Sequence, residues 1–201
     1  AAGLVSADGA TVGKASDLLK DDADLVASAA HPYVSRGGVK LAAALDAFGV
    51  DPAGRHCLDV GASTGGFTDV LLRRGAAHVV AIDSGSGQLH ASLRGHPAIA
   101  SLESTDIRNV TKASLPHRAD LAVVDVSFIP LPLVLPSVSS LLEPRAGLIA
   151  LIKPQFEVGK AHIGKKGLVK DEAARAEAVA RIRACIEALG WRVAGVMKSP
   201  I

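Results

Sequence analysis

Leu58-Asp59-Val60-Gly61-Ala62-Ser63-Thr64-Gly65-Gly66-Phe67 is the stretch on which the fold turns. His56 to Val60 reads as a short buried strand, the glycines as a turn, and Phe67 to Arg74 as a helix stopped by Gly75. Glycine lets the backbone approach a ligand closely, and a helix that opens there presents free N–H groups. The spacing is not G-x-G-x-x-G, because Ser63 stands at that motif's third position, and no G-K-[ST] follows. Dinucleotide and nucleoside triphosphate loops are therefore disfavoured. An adenosyl cofactor with no pyrophosphate to grip fits better, although a tight strand–helix turn with no ligand would use the same residues.

On either side of the turn, apolar runs alternate with helical patterns. His78 to Asp83 is a second strand ending in a carboxylate, Ile99 to Glu103 a short third, and Leu121 to Asp125 a fourth, again ending in a carboxylate. Gly147 to Ile152 is a fifth that leads into Lys153, and Trp191 to Lys198 a sixth. Short apolar strands separated by helical stretches predict an α/β, Rossmann-like fold, with a mostly parallel sheet flanked by helices. The longest helix follows Asp171 as cap, carries Val179, Ile182, Ile186 and Leu189 as one apolar stripe, and stops at Gly190. A second amphipathic helix runs from Gly38 to Phe48. Residues 1–30 read differently. Gly3-Leu4-Val5 and Ala10-Thr11-Val12 flank Asp8-Gly9, a hairpin signal, and Asp17 to Asp24 is polar.

Composition removes several function classes. The chain has 201 residues, 22 Lys and Arg against 20 Asp and Glu, and only 3% aromatics, so aliphatic side chains must fill the core. That length suits one full domain with a fragment of another. Cys57 and Cys185 lie far apart and form no C-x-x-C, which argues against a disulfide framework or a cysteine zinc site and for a reducing compartment, the cytoplasm. No apolar run reaches the roughly 18 residues of a membrane span. The most apolar region, Leu121 to Leu142, is broken by Asp125, Pro130, Pro132 and Pro136. No secretory signal is visible, and a first residue of Ala leads us to expect preceding sequence. A net charge of +2 neither demands nor excludes nucleic acid, so any basic patch must be local.

Four side chains gather around the expected cleft. Asp83, about 20 residues beyond the glycine turn, stands where an acidic residue bonds ribose hydroxyls. Asp106, after the third strand, either faces the adenine side or caps a turn. Asp125 and Lys153 end neighbouring strands, and open α/β sheets bind ligands outside the carboxyl ends of their strands. A Lys ending a buried strand is costly unless paired, which makes Asp125 and Lys153 a working pair. The alternative is a surface Lys followed by Pro154.

Read together, four motifs follow in one order: Tyr33-Val34-Ser35-Arg36-Gly37-Gly38-Val39-Lys40-Leu41, Asp59 to Asp69, Asp125-Val126-Ser127-Phe128-Ile129, and Lys153-Pro154-Gln155-Phe156-Glu157-Val158-Gly159-Lys160. The chain resembles the TlyA family of ribosomal RNA 2′-O-methyltransferases, long labelled haemolysins and related to the FtsJ-type enzymes. The resemblance is strong over residues 31–201. Residues 1–30 resemble the C-terminal half of the small S4 RNA-binding module that precedes this domain in the family.

The resemblance implies a class I S-adenosylmethionine (SAM) methyltransferase fold and a Lys-Asp-Lys-Glu set. Lys40, Asp125 and Lys153 match the first three. The Glu lies after a Ser-Pro-x-x-Gly-Pro stretch of which only Ser199-Pro200 is present, so the final strand and its Glu are expected to be missing and residues 31–201 to be C-terminally incomplete. Glu157 belongs to another motif and receives no role. The SAM contacts implied are Asp59, Gly61, Ala62, Ser63, Thr64, Gly65, Gly66, Phe67, Thr68, Asp83, Asp106 and Asp125, with the Phe67 ring itself expected in the core. A ribose 2′-OH must lose its proton as it attacks the methyl, and a lysine can take it where burial and a neighbouring cation favour the neutral amine. Lys153 is the expected base, with Asp125 orienting it and Lys40 positioning the ribose. No metal is required, and none of the seven His shows ligand spacing.

RNA contact is expected from Arg36 and from Lys160, Lys165, Lys166 and Lys170, which cluster with Gly159, Gly164 and Gly167. A solvated loop is the plainer reading of the same charges. The target nucleotide has to be splayed out to reach the pocket, and Phe128, Phe156 and Tyr33 are the rings available to stack it. Ribosomal RNA or ribosomal subunits are the expected partner, with no membrane and a monomeric state. Three alternatives stand beside this reading. A nicotinamide-dependent dehydrogenase would want G-x-G-x-x-G and a Y-x-x-x-K around the lone Tyr33. A ribosome-associated RNA-binding module without catalysis is favoured by the missing Glu. A haemolysin is suggested by the family label alone and lacks a basic amphipathic helix.

Overall fold

The computed structural model describes residues 4–14, 16–27, 30–159, 162–164 and 167–201. The chain divides into two compact units, Ala1–Tyr33 and Val34–Ile201. In the first, strands β1 (Val5–Ala7), β2 (Ala10–Thr11) and β3 (Leu25–Ala27) form an antiparallel sheet in the order β2-β1-β3. Asp8 and Gly9 both have positive φ, at 49° and 79°, which is the geometry a two-residue hairpin turn needs. β3 is too short to show a period in the sequence.

The second unit is built on a five-stranded sheet, all parallel, in the order β6-β5-β4-β7-β8. Its strands are β4 (His56–Val60), β5 (His78–Ile82), β6 (Ile99–Leu102), β7 (Ala119–Val124) and β8 (Leu142–Ala150). Successive strand residues point to opposite faces. Leu58, Val60, Val80, Ile82, Ala122 and Val124 join one core with Leu135, Val138 and Leu141 of α3 (Leu135–Leu141) and Ile182 of α5 (Glu172–Ala188). The intervening Cys57, Val79, Leu121 and Val123 are as deeply buried; α2 (Gly66–Arg73) contacts β4 and β5 and packs on α1 (Gly37–Phe48). Burial on both faces explains the near-continuous apolar runs of the central strands. Gly49 ends α1 in the left-handed conformation, and Asp171 caps α5 by accepting a hydrogen bond from Ala173 N at 2.9 Å. The buried stripe of α5 is Ala174, Ala178 and Ile182, with Ile186 and Leu189 packed against the core behind them, so alanines carry its first half.

One expected element is absent. Trp191 to Lys198 forms no strand; residues 191–201 have no regular structure. A strand is held by ladder bonds to a neighbour, and among the described residues β8 pairs with β7 alone. Trp191 instead packs against the core and its Nε1 donates to Ser139 Oγ at 2.8 Å. Val196 and Met197 are left exposed. No helix among the described residues is long and apolar enough to cross a membrane.

The starts of β4 and β5 carry His56 and His78, whose rings lie 6.1 Å apart. The His117 ring lies 4.5 Å and 4.4 Å from theirs, and the Nδ1 atoms of His56 and His78 are buried with no hydrogen-bond partner among the described residues.

Candidate active site

Strand order reverses between β4 and β7, because the chain lays β5 and β6 to one side of β4 before returning to the other. A crevice opens outside the strand ends at such a switch point. Here it is a cleft of about 520 Å³ lined by Gly61, Ser63, Asp83, Gly85, Gln88, Asp106, Ile107, Asp125, Val126, Ser127 and Phe128, among others.

Gly61, with φ 83°, forms the turn out of β4, and a Cβ there would lie 2.7 Å from the Asp125 carbonyl oxygen. Ser63, with φ 48°, follows. Its N–H donates to Asp83 Oδ2 at 2.7 Å, and Gly85 N donates to Asp83 Oδ1 at 2.7 Å, so Asp83 clamps the turn to the end of β5. Gly66 lies against Ser35 and the backbone of Gly37 and Gly38, which lets α1 and α2 approach. Asp59 is fully buried beneath the turn. Its Oδ2 accepts from Thr68 Oγ1 at 2.6 Å, and its Oδ1 has no hydrogen-bond partner among the described residues. Burial pushes the Asp59 carboxyl up to about 7, against the Thr68 hydrogen bonds and with help from the charges of Asp125 and Asp83.

The expected contacts divide accordingly. Gly61, Ser63, Asp83, Asp106 and Asp125 line the cleft, whereas Asp59, Ala62, Thr64, Gly65, Gly66, Phe67 and Thr68 do not; they build the turn behind it. Phe67 is buried beside Gly37. Asp106 both lines the cleft and caps a turn, accepting from Arg108 N at 2.9 Å and pairing with its guanidinium at 2.6 Å. Hydrogen bonds from Arg108 hold its carboxyl down at about 2.

Asp125, Lys40 and Lys153 do converge, from the end of β7, from α1 and from the residue before α4 (Pro154–Glu157). Asp125 Oδ1 lies 2.7 Å from Lys153 Nζ, and Oδ2 lies 3.9 Å from Lys40 Nζ. Lys153 Nζ donates to Ser127 Oγ at 2.7 Å and to the Asp125 carbonyl at 3.5 Å. All three charged side chains are only partly exposed. Phe128, with φ 64° and 90% exposed, stands at the rim with its ring 5.1 Å from Phe156.

Two residues quoted in the motifs without a role turn out to have one. Ser127 holds Lys153, and Glu157 is buried against Leu131 and Arg181. Neither forms a local pattern, since each contact spans more than 20 residues. Lys160, Lys165 and Lys166 lie outside the described residues. Lys170 is exposed, and Arg36 is exposed at the start of α1. No group of His, Cys, Asp or Glu among the described residues is arranged to hold a metal ion.

Among the described residues the cleft lining contains three carboxylates, several Ser, Thr and Gln side chains and apolar groups, but no Lys or Arg. The carboxylates suit a cationic adenosyl compound, and the basic side chains nearby, Lys153, Lys40 and Arg108, are turned onto Asp125 and Asp106. The fold and this site define a Rossmann-like methyltransferase. A family model for FtsJ-like methyltransferases matches residues 33–201, and the chain belongs to that family, in its TlyA branch. It is 46% identical over 202 residues to the 16S/23S rRNA (cytidine-2′-O)-methyltransferase TlyA of Mycobacterium tuberculosis, spanning 100% of this chain and 75% of that protein. It is 37% identical over 186 residues to the 23S rRNA (cytidine-2′-O)-methyltransferase TlyA of Campylobacter jejuni, covering 92% of this chain and 72% of that one. Among solved structures, a Streptococcus thermophilus protein with a provisional hemolysin name superposes with a TM-score of 0.85 at 36% identity, covering 100% of this chain and 74% of that one.

Proposed function

We propose that this chain methylates the 2′-hydroxyl of a ribose in ribosomal RNA, using SAM held in the acidic cleft. The observation that carries the reading is the line Lys40–Asp125–Lys153, with gaps of 3.9 Å and 2.7 Å, at the edge of that cleft. SAM supplies an electrophilic methyl group on a sulfonium, a good leaving group. Lys153 accepts the proton from the 2′-oxygen as that oxygen gains its methyl. Asp125 and Ser127 fix the direction of the Lys153 amine, and Asp125 turns its second oxygen to Lys40, which positions the ribose. General base catalysis of this kind contributes about 10²–10⁴-fold, and correct positioning supplies much of the rest.

In this reading Asp83 holds the cofactor ribose and Asp106 faces the adenine side, a role supported by their place in the cleft lining beside the apolar Ile107 and Val126. The exposed Phe128 ring, supported by Phe156, is suited to stack a base splayed out of its helix. Arg36 and the Lys160–Lys170 segment would meet phosphates. Residues 1–30 act in this reading as part of an S4-like RNA-binding module, residues 31–201 as the catalytic domain, and a substrate of ribosomal RNA places the protein in the cytoplasm.

The test is transfer of labelled methyl from SAM to intact ribosomal subunits and to naked rRNA by the full-length protein. Transfer to a ribose 2′-oxygen is expected, falling at least about 100-fold in Lys153→Ala and in Asp125→Ala. Undiminished transfer in both variants would overturn the assignment.

A further inference from the structure

Glu157 is the most deeply buried carboxylate next to the proposed base, and the mechanism above does not use it. It ends α4, four residues after Lys153, and its side chain is 1% exposed. A charge so placed is costly unless paired and hydrogen-bonded. Both conditions are met. Oε1 accepts a hydrogen bond from Leu131 N at 2.8 Å, and Oε2 pairs with the Arg181 guanidinium of α5 at 2.9 Å. The same guanidinium donates to the Glu157 carbonyl oxygen.

The choice of Leu131 N is informative. Leu131 is buried and sits between Pro130 and Pro132, neither of which has an N–H. It is therefore the one backbone donor in that tripeptide, and without Glu157 it would be a buried orphan. Upstream, the same loop carries Asp125, Ser127 and Phe128. Two strand-end loops thus meet in three layers: Lys153 on Asp125 and Ser127, Phe156 on Phe128, and Glu157 on Leu131. The first two layers are at least partly open to solvent, and only the third is sealed.

We infer that Glu157, braced by Arg181, is a positioning residue that sets Lys153 against Asp125 and Ser127 by locking the β7 and β8 exit loops together. It touches neither cofactor nor RNA. The inference rests on Lys153 being the base. A glutamine at 157 keeps the volume but presents one NH2 to a donor, either Leu131 N–H or Arg181, so the lock loosens without a cavity. Arg181 is half exposed, and its replacement weakens the same lock from outside.

The experiment compares Glu157→Gln, Arg181→Met and Lys153→Ala in the full-length protein, with SAM affinity by calorimetry and methyl transfer to ribosomal subunits across pH 6–9. For Glu157→Gln we expect kcat to fall at least tenfold, SAM affinity and the KM for subunits to stay within about twofold, and the pH midpoint of kcat to move. Arg181→Met should show the same pattern at smaller amplitude. It decides the matter if Glu157→Gln does not fold. Unchanged kcat and pH midpoint overturn the inference, as does a loss of SAM affinity equal to the loss of kcat, which would mean general destabilisation. Full activity in Lys153→Ala overturns the parent reading instead.

Discussion

Gly61 lies so close to Asp125 that a Cβ on the glycine would sit 2.7 Å from the aspartate's carbonyl oxygen. The turn that leaves β4 and the backbone that carries the proposed catalytic carboxylate are therefore in direct contact. The neighbouring atoms are backbone, pinned by the hydrogen bond from Asp125 N to Val60 O at 2.9 Å, so they cannot swing aside.

Gly61→Ala should accordingly damage both fold and site. A positive φ at a non-glycine residue costs about 1–3 kcal/mol, and the clash adds to it. We expect a lower midpoint in thermal denaturation and SAM binding reduced at least tenfold by calorimetry. An alanine variant with wild-type stability and affinity contradicts the contact.

Phe128 offers the opposite case, a residue whose conformation is strained without serving the core. Its φ of 64° is unfavourable for a phenylalanine, and its ring is 90% exposed. Phe128→Gly should leave stability unchanged or slightly raised, because the strain is relieved while only the contact with Phe156 is lost. Loss of a stacking platform worth about 1–3 kcal/mol should raise the KM for rRNA by roughly 5–150-fold. SAM affinity, measured in parallel, should hold.

Asp59 predicts a pH dependence. Folded, its carboxyl keeps its proton up to about pH 7 because burial penalises the charge. Unfolded, it releases the proton near pH 4. Between those values the folded state binds more protons, so this group's contribution to stability falls as pH rises. Asp59→Asn should remove that fall. Urea unfolding at pH 5 and pH 8 should show the variant gaining on the parent by roughly 1–3 kcal/mol over that interval.

His78 acts in the other direction. Burial and the neighbouring His117 and His56 hold its imidazole below the usual range. The unfolded chain takes up that proton first, so the stability involved is present above about pH 6.5 and is lost as pH falls below it. His78→Gln should flatten the loss between pH 7.5 and 5.5. Because Asp59 opposes it in part of this range, each effect is read as a difference from its own variant.

The sheet was legible because its central strands are buried on both faces and read as apolar runs ending in functional side chains. Lys40, Asp125 and Lys153 were legible through their motifs and do meet in space. What escaped depends on tertiary partners. α3 hid behind Pro130, Pro132 and Pro136, yet Pro136 sits in its first turn, where a missing N–H does no harm. Trp191 to Lys198 is mostly apolar, as a buried strand would be, but pairs with no strand among the described residues. Ser127 and Glu157 earn their places through Lys153 and Leu131, 26 residues away in each case, a distance no local pattern records.

Strand order also fixes when binding competence arises during folding. β4, β5 and β6 can join as soon as residues 56–102 are available, but β7 must return to the opposite edge of β4, pairing Cys57 with Leu121. Contacts between such distant segments form slowly. A nascent chain that ends before residue 119 carries the glycine turn with nothing opposite it. Affinity for a cofactor is in this sense a late product of folding, and protection by SAM should reach only chains in which β7 has docked.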